Sequence, residues 1–70
     1  MRKIIVAMSN FDSARRFMEK AKKTPGVRYV QRYMVGGHYH CMVTGDYTEE
    51  VESELLGKKK NLAKQPKGFR

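Results

Sequence analysis

The sequence predicts an α+β fold in which helices cover one face of a mostly antiparallel sheet, as in a two-layer sandwich. Two strand-like runs flank Gly36-Gly37. Paired glycines between such runs are typical of tight hairpins, because both central residues of a primed turn need positive φ. The charged stretches before and after this hairpin have helical spacing, and a first strand precedes them. The predicted order is therefore β-α-β-β-α, with or without a final β-strand.

The first strand and helix follow from the pattern at the start of the chain. The run Lys3–Met8 is rich in β-branched and apolar residues, which predicts a buried strand. Ser9 and Asp12 have the spacing of a capping box, and Asn10 is the alternative N-cap. A helix then runs to about Lys23, where a Thr-Pro-Gly triplet ends it. Its apolar residues fall on one stripe: Phe11, Ala14, Phe17, Met18 and Ala21.

The hairpin lies within Val27–Tyr47, which the pattern places in the middle of the sheet. A loop at Gly36-Gly37 sets Val35 opposite His38, and side chains then alternate between two faces. The core face carries Val30, Met34, Tyr39, Cys41 and Val43. The other face carries Tyr29, Gln31, Tyr33, His38, His40, Met42 and Thr44. Arg32 interrupts the core face, so either its side chain reaches solvent at the sheet edge or the register is shifted by one residue.

The second helix begins after Gly45-Asp46, with Thr48 as its N-cap and glutamates in its first turns. It either stops at Gly57 or continues through it, at a cost of about 1 kcal/mol relative to alanine. We expect a single compact domain at residues 1–57, followed at residues 58–70 by a basic tail or a short last strand. With that strand the arrangement is ferredoxin-like or RRM-like.

Composition limits the class of protein and of partner. The chain has 70 residues, a net charge of +8 and one cysteine, so no disulfide can form within it. The apolar run Ile4–Met8 is too short for a signal-peptide core or a membrane span. We expect a soluble cytoplasmic protein, or a domain of a longer exported one, with no membrane association and a monomeric or homodimeric state. The charge favours nucleic acid or a larger protein with an acidic surface, although lysines also serve solubility.

Aromatic residues and cations together predict a nucleic-acid interface. Sheet-surface rings stack on bases, and arginine and lysine hold phosphates. The alternative is that tyrosine is simply a good strand former and that the lysines form a solvated face. The candidate nucleic-acid-binding residues are Arg15, Arg16, Lys20, Lys22, Lys23, Arg28, Tyr29, Arg32, Tyr33, His38, His40, Lys58, Lys59, Lys60 and Lys64.

Metal binding and catalysis find little support. The His38-x-His40-Cys41 run has zinc-binding residue types, but alternation sends Cys41 to the face opposite the histidines, and no second cluster completes a four-ligand site. We therefore interpret Cys41 as a small core residue. No nucleophile has an evident base, and no glycine-rich phosphate loop follows a strand. We expect a non-enzymatic protein without metal or cofactor.

Two segments resemble the strand-to-helix junctions of SPOR domains. The first is Met8-Ser9-Asn10-Phe11 followed by Ala14. The second is the run from His38 to Tyr47, HYHCMVTGDY, followed by Val51 and Leu55. The resemblance covers most of the chain and implies the same order of strands and helices. It also implies binding of peptidoglycan glycan strands stripped of peptides, on the open face of the sheet.

Three functions follow from these observations. The first is nucleic-acid binding through the basic helix and tail and an aromatic sheet face. The second is an accessory or inhibitory protein, such as a virus-encoded regulator of a host enzyme, that docks on a larger protein through an open strand edge. The third is the SPOR-like binding of peptidoglycan glycan that the resemblance implies.

Overall fold

The protein is a small α+β domain with a three-stranded antiparallel sheet and two helices. A computed structural model describes residues 1–63. The elements are β1 (Arg2–Met8), α1 (Phe11–Lys22), β2 (Val27–Val35), β3 (His38–Gly45) and α2 (Glu49–Leu56). The strand order is β1-β3-β2, so β3 is central and pairs with both neighbours. This architecture confirms the predicted α+β class and antiparallel sheet, and it is compatible with a two-layer sandwich.

The hairpin has the predicted register. Val35 lies opposite His38, with Gly36 and Gly37 at φ values of 56° and 85° between them. Both values are positive, as a primed turn requires. Arg32 lies opposite Cys41, so the one-residue shift considered above is excluded. The hairpin was predicted to lie in the middle of the sheet, and this is correct for only one of its two strands. The strand β3 is in the middle of the sheet, whereas β2 is at its edge.

The helix termini show which capping residues are used. The side-chain oxygen of Asn10 accepts the backbone N–H of Ser13 at 2.8 Å, so Asn10 is the N-cap of α1. The predicted capping box from Ser9 is therefore wrong, because the helix begins one residue later than that box needs. Thr48 caps α2 by accepting the N–H of Val51. The chain leaves α2 at Gly57, which has a φ of 56°, so the helix stops there.

The core lies between the helices and one face of the sheet. Alternate residues of β1 and β3 meet the apolar stripe of α1 and one leucine of α2. The buried apolar residues are Ile4, Val6, Met8, Ala14, Phe17, Ala21, Cys41, Val43, Tyr47 and Leu55. The Tyr47 hydroxyl donates to the carbonyl of Val43 at 2.8 Å. Burial, and then the negative charge of Glu52, raises the pKa of Tyr47, while Arg2 opposes the shift.

A close backbone approach joins the start of β2 to the end of β3. The register is irregular between Val27 and Tyr29, which forms a bulge opposite Gly45. The N–H of Asp46 donates to the carbonyl of Gly26 at 2.8 Å. A Cβ atom on Gly45 would overlap that Gly26 carbonyl and come within 2.7 Å of the Val27 Cα. Only glycine therefore fits at position 45 without moving the backbone.

A buried carboxylate connects three separate segments. Glu52 of α2 is 4% exposed. One of its oxygens accepts from Arg2 Nη1 at 3.0 Å, and the other accepts from Asn61 Nδ2 at 3.4 Å. Asn61 in turn accepts the N–H of Ile5, and the N–H of Leu62 donates to the carbonyl of Ile5 at 2.7 Å. The chain after α2 thus lies along the outer edge of β1. The rest of the predicted last strand, residues 64–70, lies outside the described residues.

We expect Gly45→Ala to destabilise the domain by about 1–3 kcal/mol, because the added methyl group overpacks a backbone contact. The change in free energy of unfolding is measured by urea denaturation. The control is Gly36→Asn, where no atom lies within 4 Å of an added Cβ and asparagine tolerates the turn conformation. Equal stability of Gly45→Ala and the wild type would contradict the close approach.

We expect Glu52→Ala to lower the free energy of unfolding by about 1–3 kcal/mol, because Asn61 and Arg2 lose a shared acceptor. The ion pair with Arg2 contributes little of this loss, because the Arg2 side chain is 41% exposed and solvent screens its charge. Glu50→Ala, on the exposed side of the same helix, is the matched control and should change stability by less than about 1 kcal/mol. If the two substitutions have equal effects in denaturant titrations, Glu52 has no special structural role.

Candidate nucleic-acid interface

The sheet face opposite the helices forms one surface, which we call the open face. The pairing register places three cross-strand rows on it. The rows are Lys3, Thr44 and Tyr29; then Ile5, Met42 and Gln31; then Ala7, His40 and Tyr33; and the pair His38 and Val35 continues beyond them. The predicted partition of β2 and β3 into two faces is confirmed, although Met34, which was assigned to the core face, is 57% exposed and does not reach the core. In residues 1–63, both helices pack against the other side of the sheet.

Two of the aromatic side chains on the open face, Tyr33 and His40, are in contact, and Tyr29 lies apart from them. Tyr33 and His40 lie opposite each other on adjacent strands, with ring centroids 5.6 Å apart and planes inclined by 51°. Tyr33 is 40% exposed and Tyr29 is 61% exposed. Tyr29 lies four residues before Tyr33 on β2, which corresponds to about 13 Å along the strand. The face therefore offers two separate stacking positions, one at the Tyr33–His40 pair and one at Tyr29.

Few cations share this face with the rings. Among the strand residues that the register assigns to the open face, Lys3 alone carries a positive charge. Arg28 lies at the bulge, and its Nε is 3.2 Å from the Asp46 carboxylate. Both of these side chains are more than half exposed, so the pair is weak and Arg28 can exchange Asp46 for a phosphate. Phosphate contacts to a ligand on this face would come from its borders.

Arg32 lies on the helix side of the sheet. Its Cζ atom is 4.7 Å from the ring centroid of Phe11 and 5.8 Å from that of Tyr39. Those two rings meet edge to face at 5.9 Å. Arg32 is exposed, and its guanidinium covers the aromatic pair through a cation–π contact. This is the edge position that the sequence offered as one alternative, and it places Arg32 away from Tyr29 and Tyr33.

The basic residues of α1 also lie on the helix side. The sequence placed them in the same interface as the tyrosines, but the sheet separates the two sets. Arg15 is 3.8 Å from Glu19 in an exposed pair. Arg16 and Lys20 line a cleft between α1 and α2 together with Lys59, and all three are exposed, as are Lys22 and Lys23. Lys58 and Lys60 are exposed in the segment between the end of α2 and the residues that bond the edge of β1. Lys64 lies outside the described residues.

Cys41 and the histidines are separated as predicted. Cys41 is fully buried, and its thiol contacts the carbonyl oxygen of Ala14 at 3.9 Å. Burial raises the pKa of the Cys41 thiol, and the nearby positive charge of Arg32 opposes the shift. Its assignment as a core residue is confirmed. Within residues 1–63, histidine, cysteine, aspartate and glutamate side chains form no group of three that could hold a metal ion.

Three open-face positions were missed by the sequence reasoning: Lys3, Ile5 and Ala7 of β1. The signal was present, because these residues alternate with the buried Ile4, Val6 and Met8. The run was interpreted as a buried strand, so its solvent-facing residues were not added to the site. Its pairing with β3 also required the strand order, which the sequence does not state.

Comparison with known proteins gives no relative for this chain. No family model, no curated protein and no solved structure matches it. The resemblance to SPOR domains therefore stays a prediction. In the described part of the chain, neither helix has the length and apolar character needed to cross a bilayer.

Proposed function

We propose that the protein binds single-stranded nucleic acid on its open face and has no catalytic activity. The observation that carries the proposal is the Tyr33–His40 ring pair, with Tyr29 exposed beside it on the same face. Bases in a single strand are free to stack on such rings, whereas bases in a duplex are already stacked. Stacking is worth roughly 1–3 kcal/mol per base and tolerates any sequence.

The net charge of +8 supports the proposal, because it attracts a polyanion from any direction. Lys3 and Arg28 lie at the Tyr29 end of the open face, where they can bind phosphates of a nucleic-acid strand that stacks on Tyr29. The predicted tail adds Lys64, Lys67 and Arg70 beyond the last described residue. A cytoplasmic location belongs to the proposal, since a lone cysteine such as Cys41 suits a reducing compartment.

The ferredoxin-like or RRM-like arrangement is part of the same proposal. In such folds a final strand pairs with the free edge of the first. The support is that Leu62 donates its N–H to Ile5 on that edge of β1. A final strand there would widen the open face beside Ile5.

A second candidate function, docking on another protein, has its own observation. The outer edge of β2 pairs with no strand among residues 1–63, and Met34 and Val35 at its end are 57% and 46% exposed. A partner strand can add to such an edge through main-chain hydrogen bonds. The partner would be acidic, because Arg28 and Arg32 are on this strand. Binding of glycan strands, implied by the SPOR resemblance, would use the same rings as nucleic acid.

We expect Tyr33→Ala to weaken binding of single-stranded RNA or DNA by about 5- to 150-fold, because one stacking position of 1–3 kcal/mol is lost. Fluorescence anisotropy with labelled single strands, duplex DNA and a polyanion at two salt concentrations measures the effect. Met34→Ala is the matched control, because Met34 is the next residue on β2 and its side chain is on the other face. Equal binding by both variants, or equal binding to every polyanion, would contradict the stacking surface.

If the docking function is correct, a protein partner remains bound to the tagged chain after nuclease treatment. Arg32→Glu should then release that partner, because it reverses charge at the exposed edge of β2. The comparison is made by pull-down with and without nuclease. Loss of every partner on nuclease treatment would count against docking and would favour nucleic-acid binding. Sedimentation with purified sacculi tests the glycan alternative, and a protein that stays in the supernatant would end it.

A further inference from the structure

A cleft between α1 and α2 gathers positive charge on the side of the molecule away from the open face. It has a volume of about 230 Å³ and is lined by Ser13, Arg16, Phe17, Lys20, Leu55 and Lys59. Arg16 and Lys20 are four residues apart on α1, so they project from the same side of the helix. Lys59 follows the end of α2 and brings a third cation from a different segment. We call this site the interhelical cleft.

The three cations are exposed and are not neutralised in the described part of the chain. Lys20 Nζ donates to the Glu54 carbonyl at 3.4 Å, which holds it at the end of α2. The backbone N–H of Lys59 donates to the carbonyl of Leu56 at 2.7 Å, and this bond holds the Lys59 backbone against the end of α2. No carboxylate is among the residues that line the cleft, and the ion pairs within residues 1–63 do not include these three cations.

The chemistry of the lining suits a phosphate group. A guanidinium donates two parallel hydrogen bonds to phosphate oxygens, and lysines add point charges. The Ser13 hydroxyl is a further donor. Phe17 and Leu55 are 6% and 3% exposed and form an apolar floor that excludes water from one side of the site. An anion beside such a floor is screened less than one on a flat surface, so its attraction to the cations is stronger.

We propose that the interhelical cleft is a second binding site, specific for a phosphate group. Its volume is below the roughly 300–1,000 Å³ of typical small-molecule sites. It therefore holds one phosphate group, and the rest of the ligand extends out of the cleft on its open side. The source is either a small phosphorylated molecule or the 5′-phosphate of an oligonucleotide. The site lies across the sheet from the stacking rings and does not depend on the function proposed for them.

The test is a titration followed by ¹H–¹⁵N NMR at constant ionic strength. Inorganic phosphate should shift the amides of Ser13, Arg16, Lys20 and Lys59. The double variant Arg16→Gln/Lys20→Gln should weaken binding by at least about tenfold, because two of the three cations are removed. Lys22→Gln/Lys23→Gln is the matched control, since it removes the same charge from the C-terminal end of α1, outside the cleft, and it should weaken binding less than about threefold.

Two further arms identify the source of the phosphate. Tighter binding of a 5′-phosphorylated oligonucleotide than of its unphosphorylated form, lost in Arg16→Gln/Lys20→Gln, assigns the site to a nucleic-acid end. Binding of inorganic phosphate without that difference assigns it to a small phosphorylated molecule. Equal weakening by both double variants, or shifts spread over all lysines, would overturn the proposal and leave only net charge. Tyr33→Ala should leave phosphate binding unchanged, so this site and the stacking surface can fail separately.

Discussion

The two-sided pairing of β3 is the constraint on which the rest of the structure depends. Because β3 pairs with β1 on one side and β2 on the other, its alternation sets the faces of all three strands. Cys41 and Val43 point into the core, so His40 and Met42 must point to the open face. A shift of one residue would bury the polar set and expose the apolar one. The aromatic surface is therefore a direct consequence of core packing.

Two local features hold that pairing in place at its ends. At one end, Gly45 allows the backbone of Gly26 to approach closely enough for the Asp46 hydrogen bond, and the bulge follows. On the outer edge of β1, Asn61 accepts the N–H of Ile5 and Leu62 donates to its carbonyl, while Glu52 accepts from Asn61 and holds it there. A buried carboxylate contributes little net stability, but removing one of its partners is costly. Glu52 on α2 thus positions two other segments, since it bonds Arg2 at the start of β1 and Asn61 in the chain after α2.

The sequence predicted the local structure better than the assembly. Alternation and the Gly36-Gly37 turn predicted the hairpin register and both of its faces, because these depend on neighbouring residues. The N-cap of α1 was left open between Ser9 and Asn10, because both fit a capping pattern and only the helix start, which selects Asn10, distinguishes them. The contact of Arg32 with Phe11 and the hydrogen bonds of Ile5 with Asn61 and Leu62 join residues far apart in the chain. Such pairs depend on strand order and helix packing, which short-range patterns do not encode.

Because short-range patterns do not encode the packing of helices on the sheet, the sequence predicted one binding site where the structure has two separate surfaces. The sequence alone assigns the cations and the aromatic residues to a single interface, because it does not show how far apart they lie in the fold. In the structure the sheet lies between Tyr33 on the open face and Arg16 in the interhelical cleft, so one short ligand cannot touch both. The two surfaces should also respond differently to salt. Phosphate contacts release counterions and weaken steeply as salt rises, whereas stacking depends on apolar contact and weakens little. Binding that persists at high salt therefore belongs to the rings, and binding that is lost belongs to the cations.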